Sequence, residues 1–165
     1  MRIVIAGGTG LLGRALTTWL TSEGHEVIVL TRHANSDVGA RVRAVAWTPD
    51  GSAGPWAREI DGADGVINLA GAGIAEGRWT PSRKTRLRSS RIDSTRSLVT
   101  AVAQASTPPP VFVQGSAVGY YGSTLDAGAI DESSPAGSDF LARLAVEWES
   151  AANAVAAARP CRLVI

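Results

Sequence analysis

Arg2-Ile3-Val4-Ile5-Ala6-Gly7-Gly8-Thr9-Gly10-Leu11-Leu12-Gly13 decides the fold. A short β-rich apolar run passes directly into glycines, and a helical pattern begins at Leu11. A strand apolar at every position is one covered on both faces. The glycines at 7, 10 and 13 have the spacing G-x-x-G-x-x-G. Glycine at such a turn permits positive φ, lets backbone approach a pyrophosphate and lets the next helix pack close to the strand. The pyrophosphate then meets a helix N-terminus, whose free N–H groups and dipole favour anions. A glycine turn with no ligand is the competing reading. The context of buried strand, turn, helix and second Val/Ile/Leu strand favours a dinucleotide.

Working outward, β-rich runs at Arg2–Ala6, Glu26–Thr31, Val42–Trp47, Gly65–Leu69, Val111–Gln114 and Arg162–Ile165 alternate with helical stretches. The helices are expected at Leu11–Glu23, weakly at Pro55–Ile60, at Thr80–Ala105 and at Asp139–Ala158. Such alternation means βαβ units and a parallel sheet, an α/β fold. Gly24 stands where a C-cap glycine belongs, and Pro108-Pro109-Pro110 stops the long helix. No repeat or linker divides the chain, so residues 1–165 read as one domain. The last run stops inside a strand. That reads as a fragment of something longer in preference to a short edge strand.

Composition narrows the function. The chain has 165 residues, 45% hydrophobic and 19% charged, with a formal net charge of +1. Nothing global points to a nucleic acid or a membrane surface. The single Cys161 and the two histidines, His25 and His33, exclude a disulfide framework and multi-Cys or multi-His metal sites, so no metal is expected. No signal peptide is visible, since the apolar start meets glycine after six residues. No apolar run approaches the roughly 18 residues that span a bilayer. A soluble cytoplasmic setting is the default expectation. The one lysine, Lys84, precedes both tyrosines, Tyr120 and Tyr121, so a Tyr-x-x-x-Lys pair is impossible.

The second strand selects the cofactor. An NAD site usually ends this strand in Asp or Glu, which grips the ribose 2′-hydroxyl. Here it ends Leu30-Thr31-Arg32-His33, and the nearest acid is Asp37. Arg32 is placed for a 2′-phosphate and Thr31 adds a donor, which favours NADP(H) over NAD(H). Seven of the 16 basic residues lie between Arg78 and Arg96, six of them on the long helix. A solvated basic face suffices for Arg86 and Arg96. At about 100° per residue, Lys84 and Arg91 fall in the stripe of Leu87, Thr95, Leu98 and Val102. A cation there must snorkel or meet an anion. Arg91 is therefore expected to face inward towards cofactor or substrate.

The glycine turn, Val66-Ile67-Asn68-Leu69-Ala70-Gly71 and Ser116-Ala117-Val118-Gly119-Tyr120-Tyr121-Gly122 resemble the extended short-chain dehydrogenase/reductase superfamily. The resemblance is closer to its atypical epimerase-family subgroup, through Arg78-Trp79, Lys84, Ser90-Arg91-Ile92-Asp93, Asp139-Phe140-Leu141 and Trp148-Glu149. It implies a doubly wound Rossmann sheet of order 3-2-1-4-5-6, truncated here at its C-terminus. It implies NADP(H) held by Gly7, Thr9, Gly10, Leu11, Leu12 and Gly13, by Thr31 and Arg32, by Asn68, Leu69, Ala70 and Gly71, and by Arg91. It also implies a C-terminal substrate domain that this chain lacks, and a homodimer through the two long helices.

The superfamily's chemistry rests on Asn, Ser or Thr, Tyr and Lys. Alignment puts Arg91 at the asparagine, Ser116 or Ala117 at the serine (ungapped alignment favours Ala117, with Ser116 adjacent), Asp139 at the tyrosine and Arg143 at the lysine. The subgroup lacks the usual tetrad, so that mechanism does not carry over. Candidates for proton transfer after the fifth strand are Tyr120 and Tyr121, Ser116 and Asp139. The expected function is an NADP(H)-dependent epimerase or oxidoreductase on a small, sugar-like substrate. The alternative is an NADP(H)-binding sensor or interaction protein that does no chemistry.

Overall fold

The computed structural model describes residues 1–33, 38–39, 41–123, 129–158 and 161–165. Six strands form one sheet: β1 (Arg2–Ala6), β2 (Glu26–Thr31), β3 (Val42–Ala46), β4 (Gly65–Asn68), β5 (Val111–Gln114) and β6 (Arg162–Val164). All neighbouring strands are parallel, and the spatial order is β3-β2-β1-β4-β5-β6. This is the expected Rossmann order. Three helices connect the strands: α1 (Leu11–Ser22), α2 (Pro81–Gln104) and α3 (Phe140–Ala158). The weak stretch near residue 55 forms a 3₁₀ turn, Pro55–Glu59, in place of an α-helix. Five residues opened by proline are too few to nucleate a lasting α-helix.

Alternation along β1 explains its unbroken apolar sequence. Val4 and Ala6 face a core made with Ile28, Leu30, Val66 and Phe112 and roofed by Leu98, Ala101 and Val102 of α2 and Val155 of α3. Ile3 and Ile5 face the opposite layer with Val27, Val29 and Leu20 of α1. Helix α2 starts where Thr80 accepts a hydrogen bond from the Arg83 N–H at 3.2 Å, with Pro81 at its first position. Helix α1 ends before Gly24 at φ +79°, a left-handed position suited to glycine. The strand order turns at β1 and β4, which opens a crevice at their carboxyl ends. Among the described residues, no helix is long and apolar enough to cross a membrane.

The 3₁₀ turn is tied to the sheet edge by charge. Glu59 is 5% exposed. Arg43 of β3 donates to both of its oxygens, Nη1 to Oε1 at 2.9 Å and Nη2 to Oε2 at 2.5 Å. These hydrogen bonds hold the Glu59 carboxyl below the usual carboxylate range, against the opposing effect of burial. A depressed folded-state pKa stabilises above the unfolded value and loses that contribution as pH falls through the folded value. Glu59→Gln is expected to cost about 2 kcal/mol at neutral pH. It should also flatten the loss of stability that the wild type shows below about pH 4.3, the unfolded glutamate value. Urea melts of both proteins at neutral and acid pH check this, and parallel pH profiles would refute it.

Candidate functional site

The glycine turn is built by close approach. Gly7 has φ +83°, and a Cβ there would lie 2.5 Å from the Leu69 carbonyl oxygen of the neighbouring chain segment. A Cβ at Gly13 would lie 2.3 Å from the Gly7 carbonyl oxygen. No other residue fits either place without moving backbone. Gly10 caps α1 without any side-chain hydrogen bond. The first N–H groups of α1 thus meet no side-chain cap at Gly10, a setting that favours an anion. Leu11 and Leu12 point outward, 89% and 71% exposed. Only their backbone can serve the turn.

A cleft of about 460 Å³ opens at this turn, within the usual size of a ligand site. Gly7, Thr9 and Gly10 form one wall, Thr31 and Arg32 the next, and Leu69, Ala70 and Gly71 a third. These are expected positions. Gly13, Leu11 and Leu12 are not part of the lining, and neither is Asn68, which is buried. Arg32 is exposed, and among the described residues no carboxylate pairs with it. Asp37 lies outside the described residues. Residues not foreseen also line the cleft: Trp47 and Pro49 beyond β3, and Arg86, Ser90 and Asp93 on α2. The last three are spaced i, i+4, i+7, so they share a helix face. Arg86, read from sequence as merely solvated, faces the cleft from this row.

Arg91 turns inward, as its helical phase requires, and is 9% exposed. A Cβ on Gly71 would lie 3.0 Å from its Cζ, so the guanidinium rests on the backbone at the end of the β4 segment. Its Nη1 donates to the carbonyls of Ala72 (3.2 Å) and Leu87 (3.1 Å). Its Cζ lies 5.2 Å from the Trp148 ring centroid. Burial pulls its pKa below the ordinary arginine value, and no carboxylate among the described residues offsets the charge. Beneath it runs a buried polar network. Asn68 Nδ2 donates to Thr95 Oγ1 at 2.9 Å and to Gln114 Oε1 at 3.0 Å. Trp148 Nε1 donates to the same Thr95 oxygen at 3.0 Å, and that hydroxyl donates to the Arg91 carbonyl at 2.8 Å.

The candidate proton-transfer residues separate. Asp139 caps α3, accepting from the Ala142 N–H at 2.9 Å. That hydrogen bond lowers its pKa and keeps it ionised. Arg143, at the lysine position of the resemblance, donates to the Ser138 carbonyl. Lys84 stands over the Phe140 ring at 5.2 Å. Tyr120 and Tyr121 pack edge to face, with centroids 5.2 Å apart. Desolvation, followed by Glu132, Tyr120, Asp131 and Glu149, pushes the Tyr121 pKa up. Tyr121 therefore stays protonated at neutral pH. The Ser116 hydroxyl donates to Glu149 Oε1. Glu149 entered the sequence reading only within the Trp148-Glu149 signature, with no role of its own. Among the described residues, no group of three or more His, Cys, Asp or Glu is placed to hold a metal.

The profile of the NAD dependent epimerase/dehydratase family matches residues 3–154. Epimerase family protein YfhF of Bacillus subtilis is 38% identical over 149 residues, covering 90% of this chain and 48% of its own length. The crystal structure of human epimerase family protein SDR39U1 with NADPH has a TM-score of 0.80 and 31% identity, covering 99% of this chain and 52% of that one. The nucleoside-diphosphate sugar epimerase from Corynebacterium glutamicum has a TM-score of 0.77 and 34% identity, covering 99% of this chain and 32% of that one. The chain spans about half the length of the curated relatives it matches.

Thr95 gives the site its rigidity, and that is testable without any ligand. Its hydroxyl has one proton and two lone pairs, and all three are engaged within 3.0 Å. Thr95→Val keeps the shape and strands two buried donors. A loss of about 3 kcal/mol is expected, with Thr95→Ser recovering most of it. Urea denaturation measures both, and a loss under about 1 kcal/mol for Thr95→Val would remove the network from this role.

Proposed function

The chain belongs to the NAD dependent epimerase/dehydratase family, on the atypical side of the short-chain dehydrogenase/reductase superfamily, and we propose that it binds NADP(H) for redox chemistry on a small sugar-like substrate. The observation that carries the cofactor assignment is Arg32, exposed on the cleft wall and paired with no carboxylate among the described residues. An acid there would bind a ribose hydroxyl, whereas a cation suits a 2′-phosphate. The human relative's structure, named as a complex with NADPH, supports the same choice.

In this reading the backbone of Gly7, Thr9, Gly10, Leu11, Leu12 and Gly13 holds the pyrophosphate, and Thr31 and Arg32 hold the 2′-phosphate. Asn68, Leu69, Ala70 and Gly71 border the nicotinamide half, with Arg91 as a fixed positive charge. The crowding at Gly7 and Gly13 supports the fit, because it keeps side chains out of the cradle. A bound nicotinamide supplies hydride transfer. The protein's tasks are to orient it, exclude water and move a proton. The sugar-like substrate is supported by the Corynebacterium relative, which is named a nucleoside-diphosphate sugar epimerase. The second reading, a cofactor-binding sensor without chemistry, is favoured by Asp139 serving as a helix cap and Arg143 turning to a carbonyl.

Arg32→Ala should weaken NADPH binding about 10- to 100-fold and leave NADH nearly unchanged, since a charged hydrogen bond contributes about 1.5–3 kcal/mol. Quenching of tryptophan fluorescence provides the titration, because Trp47 lines the cleft. Equal loss for both cofactors refutes the 2′-phosphate assignment.

A further inference from the structure

We propose that Ser116 and Glu149 form the proton relay of this site, with Ser116 as the catalytic hydroxyl and Glu149 acting through it. The proposal rests on the cofactor reading above. Ser116 follows Gln114 and Gly115 at the carboxyl end of β5, the strand beside β4. It is exposed, and its hydroxyl donates to Glu149 Oε1, 33 residues away on α3. The contact is held by packing. The Trp148 ring is buried, and its Nε1 is pinned by Thr95. A Cβ on Gly115 would lie 3.4 Å from Trp148 Cη2 and 3.1 Å from the Asn68 carbonyl oxygen. The chain leaving β5 therefore lies flat against Trp148, and the next residue on each side, Ser116 and Glu149, meet at its edge. The other face of the site is reached through the same ring, since Arg91 stands over Trp148 and touches Gly71.

Two other candidates at this edge are less suited to accept a proton. Asp139 holds the start of α3, and Tyr121 sits among Glu132, Asp131 and Glu149, which oppose its ionisation. A hydroxyl hydrogen-bonded to a carboxylate can do what neither of them does. In the oxidative direction, Ser116 takes the proton of a substrate carbinol as its own proton passes to Glu149. The carbinol C–H bond breaks, its hydride goes to the oxidised nicotinamide, and the C–O bond becomes C=O. The carbonyl product leaves with one reduced nicotinamide formed, and Glu149 releases the proton to water. Reduction runs the same steps backwards.

The only native thiol, Cys161, is buried, and burial pushes its pKa up. Ser116→Cys therefore places one reactive thiol at the proposed position. Its alkylation rate by iodoacetamide reads the thiolate fraction there. The carboxylate beside it disfavours the thiolate, so adding Glu149→Gln should speed alkylation about threefold or more. Saturating NADPH should slow alkylation of Ser116→Cys at least about tenfold, while tryptophan quenching in the same sample reports binding. In the Ser116-containing protein, Glu149→Gln should shift the Kd ratio several-fold against NADP+ and towards NADPH. A carboxylate near the cationic ring favours the oxidised form, and a merely structural residue would not move this ratio. With a panel of UDP-sugars, Ser116→Ala should lower kcat about 100-fold at little changed KM, with Glu149→Gln adding little more. Intact NADPH quenching with no protection, no change in thiol reactivity and no shift in the ratio overturns the relay and leaves the cofactor reading standing. Absence of NADPH quenching in the wild type overturns both.

Discussion

The hydroxyl of Thr95 is the point on which the site depends. It binds β4 through Asn68, α3 through Trp148 and its own helix through the Arg91 carbonyl. Gln114 of β5 joins through Asn68. Four elements that are distant in sequence are thereby fixed against one another by buried, fully used polar atoms. Such a network is costly to satisfy partly, so its geometry tolerates little drift. What it positions is the set of groups to which the proposed function assigns roles. Arg91 stands over the Trp148 ring, and Ser116 and Glu149 meet at the same ring's edge.

The glycine turn sets the other half of the cleft by exclusion. Its tight contacts at Gly7 and Gly13 bring β1, α1 and the end of β4 closer than any side chain allows. One half of the cleft is thus held by absent side chains and the other by a saturated hydroxyl. The two halves meet at Asn68 to Gly71, where β4 belongs to both. This is the switch point of the sheet, where a parallel α/β fold leaves its crevice.

The strands were readable because β1 and β2 are covered on both faces, which writes an unbroken apolar run into the sequence. The bounds of α2 were readable within a residue from Thr80, Pro81 and the prolines after it. The inward turn of Arg91 followed from helical phase; the same arithmetic groups Arg86, Ser90 and Asp93 on another face of α2, and only the folded chain shows that this face borders the cleft. Asp139 carries a second signal that the sequence also held. An aspartate directly before a helix is a preferred N-cap, and it caps. Thr95 and Glu149 stood in patterns that the sequence showed, but their roles were not legible. A threonine in an apolar stripe looks like core, and a carboxylate after a tryptophan looks like surface. Their meaning comes from partners 27 to 53 residues away or 33 residues away, and only the folded chain brings these together.

Charge divides the site in a way that the fold explains. The glycine turn, Arg32 and Arg91 lie on the β1–β2 and α2 sides, where Glu76 and Asp93 also line the cleft, but among the described residues neither arginine has a carboxylate partner. The chain beyond β5 is acidic, with Glu149, Asp131 and Glu132 all acting on Tyr121. A phosphate-bearing ligand is drawn to the first side and repelled from the second. A neutral hydroxyl group, or a ring that gains positive charge, is the chemistry that the acidic side tolerates. The separation orients a dinucleotide before any contact at its reactive end forms. It also suits the proposed serine–glutamate relay, whose residues occupy positions other than those that carry tyrosine and lysine in the superfamily. A lysine lowers its tyrosine's pKa by its positive charge, whereas here the local charge is negative and favours a base that is itself a carboxylate.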